Sequence, residues 1–325
     1  MRMLRYGVTL AAVVCASCLF AVPGWAQSYP VKVVRLIVPS SPGSGFDVIG
    51  RIIAGGLTEA FGQQVIVDNR AGANGNIGAE VAAKAPPDGY TLLLAAASHP
   101  ANVILYRNLQ FDLVRDFAPV TLLATSPSVV VVHPSLPVKS IGDLVRLAKA
   151  RPGAINYGST GVGSTTFIGA ELFKEKAGVN MVHVPYRGGG EAMTAALSGE
   201  VSVYFPPLAP ALPYIRSGRV RTLAVTSAKR LPLLSEYPTV AESGYPSFQF
   251  GSWNGIMVPA KTPKETIAKI HSATMSALKN PDVRKRLSDL GYIIVGDQPE
   301  QFGAFIKSEI ESLGKILRDL RGTAE

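Results

Sequence analysis

The chain has 325 residues, is 47% hydrophobic and 17% charged, and carries a formal net charge of +9. A body of this size and hydrophobicity buries a core of its own, which excludes the disordered and fibrous classes. The basic balance comes without Lys/Arg runs or interleaved aromatics, which argues against nucleic-acid binding. Beyond the N-terminal region no stretch of 18 uncharged apolar residues is available to cross a bilayer.

Residues 1–26 read as a secretory signal peptide. Arg2 and Arg5 precede an uncharged, mostly apolar run over 8–22, and Pro23-Gly24-Trp25-Ala26 ends in a small residue. Gln27 is then the first residue of the exported chain, whose charge falls to +7 because Arg2 and Arg5 are the only charges removed. Both cysteines, Cys15 and Cys18, lie in the removed segment, so neither a disulfide nor a thiolate metal site is expected.

From there strands and helices alternate. Residues 32–38 read as a strand, and Ser40-Ser41-Pro42-Gly43-Ser44-Gly45-Phe46-Asp47 as a small-residue loop opening a helix over 46–61. Such a loop exposes backbone N–H groups and aims the partial positive end of a helix at whatever lies above the strand. It is equally the plain turn of a βα unit. Strands at 65–67 and 91–95 flank an alanine-rich helix at 77–85. The β-branched run 128–132 reads as a buried strand, and 140–150 as a helix capped by Ser140, with Asp143 in its first turn. A strand at 155–157 leads into a second loop of the same make, Ser159-Thr160-Gly161-Val162-Gly163, and a helix over 164–177. A strand at 181–184, a helix at 191–197 and strands at 201–205 and 221–226 follow. Three helices close the chain, 263–278, 281–290 and 299–320, each opened by a Pro suited to the first helical position. This alternation predicts an α/β fold with largely parallel sheets.

A chain of about 300 residues defaults to two domains. Two seams stand out, Ala124-Thr125-Ser126-Pro127 and the Pro/Gly-rich stretch 231–246. They divide the exported chain into one lobe of residues 27–125 plus 236–325 and another of 126–235. Two crossings between two lobes are the layout of a clamshell that closes on a ligand. Each lobe presents one Gly/Ser loop, and the facing pair would clamp a small anion.

His99, His133, His183 and His271 show no metal-ligand spacing, and no metal or cofactor is expected. His99 stands apart because it lies just past a strand end, where α/β clefts take ligands; with Ser98 it joins the candidate contacts. Arg187 offers a forked donor to a carboxylate, or else sits on the cleft rim. Tyr204, Phe248 and Trp253 are read as core first, with stacking on an aromatic ligand as the alternative. Gly43-Ser44-Gly45 lacks the third glycine of a dinucleotide fingerprint, no Gly-Lys-Ser/Thr follows, and no Gly-x-Ser-x-Gly elbow occurs. Enzymatic activity is therefore not expected.

Seven stretches in register resemble the tripartite tricarboxylate transporter receptors, also called Bug or TctC-like proteins. They are residues 29–39, Pro42-Gly43-Ser44-Gly45-Phe46-Asp47, residues 65–78 and 85–93, Val184-Pro185-Tyr186-Arg187-Gly188, and residues 217–226 and 238–244. The resemblance implies a type 2 periplasmic-binding-protein fold, two α/β lobes with a ligand cleft at the hinge. It implies capture of a small organic carboxylate, di-, tri- or aromatic, for a membrane permease. Its carboxylate-binding loops map onto Ser41, Gly43, Ser44 and Asp47 in one lobe and Ser159, Thr160, Gly161, Gly163 and Ser164 in the other. The chain departs from the family pattern in three places. Pro42-Gly43-Ser44 replaces Pro-Gly-Gly, Phe167 stands where many relatives have His, and residues 202 and 206 are Ser and Pro where relatives often carry acids. An acid at Pro206 would pair a ligand ammonium, so a non-amino-acid ligand is favoured.

The expected partners are thus a small carboxylate and the permease subunits of a transporter, with the receptor itself a monomer in the periplasm. The alternatives are a carboxylate sensor for a two-component system and a secreted hydrolase. The intact mass of the exported protein is expected to begin at Gln27; a mass retaining residues 1–26 overturns the signal-peptide reading.

Overall fold

The computed structural model describes residues 29–318. The Ala26–Gln27 cleavage point and residues 319–320 of the last expected helix lie outside the described residues. The chain separates into two units, residues 1–31 and 32–325. The described part of the first, residues 29–31, holds no helix or strand. All regular elements belong to the second.

In chain order these are β1 (Val34–Val38), α1 (Gly45–Phe61), β2 (Val65–Asn69), α2 (Asn76–Ala83), β3 (Thr91–Ala96), α3 (Ser98–Leu105), β4 (Phe117–Pro127) and β5 (Val129–Val132). Then come α4 (Ile141–Ala150), β6 (Asn156–Ser159), α5 (Thr165–Ala177), β7 (Val182–Pro185), α6 (Gly189–Ser198), β8 (Val203–Tyr204), α7 (Leu208–Arg216) and β9 (Arg221–Val225). The chain continues through β10 (Gly251–Pro259), α8 (Lys264–Lys279), α9 (Pro281–Asp289), β11 (Ile293–Ile294) and α10 (Pro299–Leu317). Local chemistry explains most of these limits. Ser140 caps α4 as expected, accepting from the Asp143 N–H at 3.1 Å. Gly62 and Gly178 end α1 and α5 in the left-handed conformation. Pro281 and Pro299 open their helices inside the first turn, whereas Pro263 stands one residue earlier, at the cap of α8.

Two sheets form, in the orders β11-β4-β10-β3-β1-β2 and β7-β6-β8-β5-β9. They are mixed, and not largely parallel as the alternation predicts. β1 pairs parallel with β2 and β3, and β6 with β7 and β8. β10 runs antiparallel to both β3 and β4, and β5 antiparallel to β8 and β9. The reason lies in β4 and β10, long strands that the sequence reading leaves out. They carry the chain out of the first sheet and back, and so must run in opposite directions.

The two crossings meet at one buried side chain. The fully buried Thr226 hydroxyl accepts from the Ser128 N–H at 2.8 Å and lies 2.5 Å from the Phe250 carbonyl. The Phe250 N–H in turn donates to the Thr226 carbonyl at 2.9 Å. Ser128 follows β4 and Phe250 precedes β10, so one hydroxyl joins the outgoing and returning segments. Side chains from the two halves also share a core. Phe173, Phe205 and Val130 pack in one buried cluster with Leu105 of α3 and Leu313 and Leu317 of α10. Trp253 of β10 anchors the other side, edge-on to Phe302 and bonded through Nε1 to Glu309 at 3.1 Å.

Thr226→Val keeps the shape and removes the hydroxyl, leaving a buried N–H without its acceptor. We expect a loss of about 1–3 kcal/mol in unfolding free energy, read by denaturant titration, with Thr226→Ser close to neutral. Equal stability of the Val variant would show that the crossings do not depend on this group.

Candidate functional site

β1 and β3 are parallel, and Ala96 at the end of β3 lies opposite Asn254 near the start of β10. Gly251 in turn pairs with Pro127 at the end of β4. The C-terminal ends of β1 and β3 therefore lie at the same edge of the sheet as the crossings to the second sheet. Strand ends at such an edge are where α/β folds hold ligands.

At the end of β1 the chain turns through Ser40–Gly43 into α1. Gly43 has φ 80°, a left-handed conformation that disfavours any side chain. Ser44 caps α1 by accepting from the Asp47 N–H at 3.2 Å, and its own N–H donates to the Ser41 carbonyl at 3.3 Å. At the end of β6 the same turn recurs. Gly163 has φ 81°, Ser164 accepts from the Phe167 N–H at 3.2 Å, and the Ser164 N–H donates to the Gly161 carbonyl at 3.2 Å. In both copies the first two helical N–H groups, those of Gly45 and Phe46 and of Thr165 and Thr166, have no protein acceptor among the described residues. Each helix start thus offers bare donors at its partial positive end.

The second loop reaches toward the first half of the chain. A Cβ built on Gly163 would lie 2.5 Å from Leu105 Cδ1 and 3.4 Å from Asn74 Nδ2. At Gly43, Gly45 and Gly161 it would meet nothing within 4 Å, so those faces are open. Asn74, at φ 53°, and Asn102 are residues the sequence reading missed. Asn74 Nδ2 donates to Asn102 Oδ1 at 3.0 Å, and Asn102 Nδ2 donates to the Asn74 carbonyl at 3.1 Å and to Asn76 Oδ1 at 2.6 Å. The Asn74-Gly75 turn pair and a polar Asn102 inside the apolar run of α3 were the available signals.

Several expected contacts do other work. Asp47 is 3% exposed, and its carboxylate accepts from the Gly43 N–H at 2.8 Å, Arg51 Nε at 3.0 Å and Asn69 Nδ2 at 3.0 Å. Burial alone would raise its pKa, but these bonds outweigh it and hold the group below the usual carboxylate range. An anion so occupied braces the first loop and would repel an anionic ligand. His99 has no exposed surface. Its Nδ1 accepts from the Ala96 N–H at 2.9 Å, and burial lowers its pKa to about 4, so it is a neutral support beneath the Asn74 turn. Ser98 beside it, the first residue of α3, is half-buried.

In the second loop Ser159 is fully buried and bonded internally, to the Gly161 N–H at 3.0 Å and to His183 Nε2 at 2.6 Å. The Thr160 N–H donates to Thr166 Oγ1 at 2.9 Å. Gly158 lies opposite Tyr204, which sets Pro206 level with the Thr160 end of β6 and Ser202 level with its far end, about 13 Å away. The lack of an acid at Ser202 thus carries no information about ligand. Pro206 itself is buried, and its carbonyl accepts from the Val129 N–H at 3.0 Å. Arg187 is exposed, two residues past Pro185, which pairs with Ser159. Tyr204, Phe248 and Trp253 are core residues, each at most 2% exposed.

A cavity of about 1450 Å³ lies elsewhere, toward the β11 edge, between Thr125, Ser126 and Trp253 on one side and Leu208 and Leu231 on the other. None of the expected site residues lines it. Arg216, Lys229, Arg230 and Arg284 are among its lining residues, but neither of the two Gly-Ser turns borders it.

Comparison with known proteins bears on the fold and the family. The family model described as tripartite tricarboxylate transporter family receptor matches residues 49–321. Protein BugT of Bordetella pertussis is 35% identical over 301 residues, covering 92% of each chain. Among solved structures, an R. palustris protein with adipate is 35% identical with a TM-score of 0.81, over 89% of this chain and 97% of that one. MatC from Rhodopseudomonas palustris with bound malate is 29% identical with a TM-score of 0.79, over 89% of this chain and 100% of that one. The two-lobed α/β fold is thus that of the periplasmic binding proteins, and the chain belongs to the tripartite tricarboxylate transporter receptor family.

Proposed function

We propose that this receptor is exported to the periplasm, captures a small organic carboxylate between its two helix starts, and delivers it to a membrane permease. The observation that carries the reading is the repeated Gly-Ser turn. Two helices begin with the same cap, the same left-handed glycine and the same pair of bare N–H groups. A carboxylate with two oxygens, or a dicarboxylate with two ends, matches two such donor sets. Adipate and malate, found with two of the similar structures, are both dicarboxylates. In this reading residues 27–125 with 236–325 form one lobe and 126–235 the other, closing about Ser128, Thr226 and Phe250. The ligand lies against the turns at Ser41, Gly43 and Ser44 and at Gly161, Gly163 and Ser164, held by the N–H groups of Gly45, Phe46, Gly163, Thr165 and Thr166, with Thr160 and Ser98 at the margin. Asp47 and His99 hold the frame. With Pro206 in place of an acid, non-amino acids are preferred.

A thermal-shift screen of carboxylates, amino acids, sugars and polyamines tests the ligand class. A carboxylate at about 100 times its dissociation constant should add roughly 2.7 kcal/mol, seen as a raised Tm. Shifts with sugars or polyamines alone overturn the reading.

The clamp itself is tested at Gly45, which is exposed, sits at the first position of α1 and has open space around its Cβ position. Gly45→Asp sets a carboxylate beside the α1 donors without harming the helix, and should weaken adipate binding at least tenfold, about 1.4 kcal/mol. Arg187→Ala should cost about 1 kcal/mol or less, as for an exposed charge. Loss of binding in the Arg187 variant with normal binding in Gly45→Asp would replace the loop clamp by a point-charge site.

A further inference from the structure

The Ser159 hydroxyl, at the root of the second loop, has two hydrogen-bonding neighbours among the described residues: the Gly161 N–H at 3.0 Å and His183 Nε2 at 2.6 Å. With His183 neutral, Ser159 accepts from Gly161 and gives its own hydrogen to Nε2, so every group is satisfied. With His183 protonated, Nε2–H donates instead, and Gly161 and His183 together fill both lone pairs of Ser159 Oγ. The hydroxyl hydrogen is then left without an acceptor among the described residues, inside a fully buried side chain, which is unfavourable. A carboxylate held on the N–H groups of the adjacent loop does not reach this buried hydroxyl, but its negative charge beside the pair favours the imidazolium, whose Nε2–H has Ser159 as its acceptor.

The surroundings of His183 leave this exchange open. Tyr157 of β6 stacks on the imidazole with ring centroids 5.1 Å apart, and Phe167 of α5 packs edge-on at 4.9 Å. The charged groups facing it are Glu171 and Lys174, both on α5. Glu171 is already engaged, accepting from Lys174 Nζ at 2.7 Å and from the Tyr157 hydroxyl at 2.5 Å. Burial, with Lys174 adding to it, holds the imidazole below its ordinary pKa despite Glu171.

We propose that His183 is a positioning residue of the carboxylate site, acting through Ser159, and that ligand binding draws a proton onto it. This rests on the carboxylate-receptor reading above. The sign follows from linkage. In the free protein the depressed pKa means that stability falls as the pH drops below the ordinary histidine value of about 6.5. In the complex the pKa rises, so binding takes up protons and tightens as the pH falls between the two values.

The test is calorimetric titration of adipate into the full exported chain from pH 5.5 to 8, in buffers of different ionisation enthalpy. Wild-type protein should take up protons on binding and bind about fivefold or more tightly at the acid end. His183→Phe, which keeps the ring on Tyr157, and Ser159→Ala, which keeps His183, should each lose the uptake and flatten the profile. Ionisation of adipate itself is common to all three proteins, so only their difference counts. Equal proton uptake in wild type and both variants overturns the role of His183 and leaves the receptor reading standing. Failure of wild-type protein to bind adipate, malate or any other carboxylate at every pH overturns both.

Discussion

A helix cannot satisfy the N–H groups of its own first turn, and in most helices water or a side chain must do so. This chain builds two helix starts whose leading N–H groups have no acceptor among the described residues, at the edge where it passes between sheets. Much of the rest of the fold serves that arrangement. Glycine at a left-handed position, five residues past β1 and four past β6, turns the backbone into the helix, and serine takes the third N–H so that only the leading pair stays free. β1 and β6, each parallel to its neighbours, aim the two starts from the C-terminal ends of their sheets.

Between these starts stands the double crossing at Thr226. One hydroxyl and two backbone bonds join Ser128, Thr226 and Phe250, a small contact for a junction between two sheets. The larger forces are apolar. α3 and α10 belong to the first half of the fold but bury Leu105, Leu313 and Leu317 among the residues of the second. A polar knot and an apolar seam thus hold the two sheets together.

Much of this was legible in the sequence, because the turn residues carry their own conformational logic. The loops at Ser40–Asp47 and Ser159–Ser164 were readable from glycine and serine between an apolar strand and a helix. The strands β4 and β10 were not. Their cores are interrupted by Pro119, Thr121, Asn254 and Gly255, and long-range pairing supplies what local propensity lacks: the Leu122 N–H, for example, donates to Asp297 at 2.7 Å. In the first sheet direction followed from those same strands, and in the second β5, entering straight from β4, runs against β8 and β9, so the expectation of largely parallel sheets failed in both. Side-chain roles were harder still. Nothing local distinguishes an Asp47 that meets a ligand from one that braces Gly43 with help from Asn69, 22 residues away. Nor does anything near Ser159 announce His183.

The two helix starts are alike but not equal. Asp47 takes up the Gly43 N–H, whereas the matching position of the second loop is Phe167, and the Gly163 N–H has no acceptor among the described residues. The second loop therefore offers one more donor and carries no carboxylate beside it. A clamp of this kind has a polarity. A ligand whose two ends differ in charge density would be read in one direction, its more charged end toward Gly163, and the same ligand reversed would meet the donors in the wrong order.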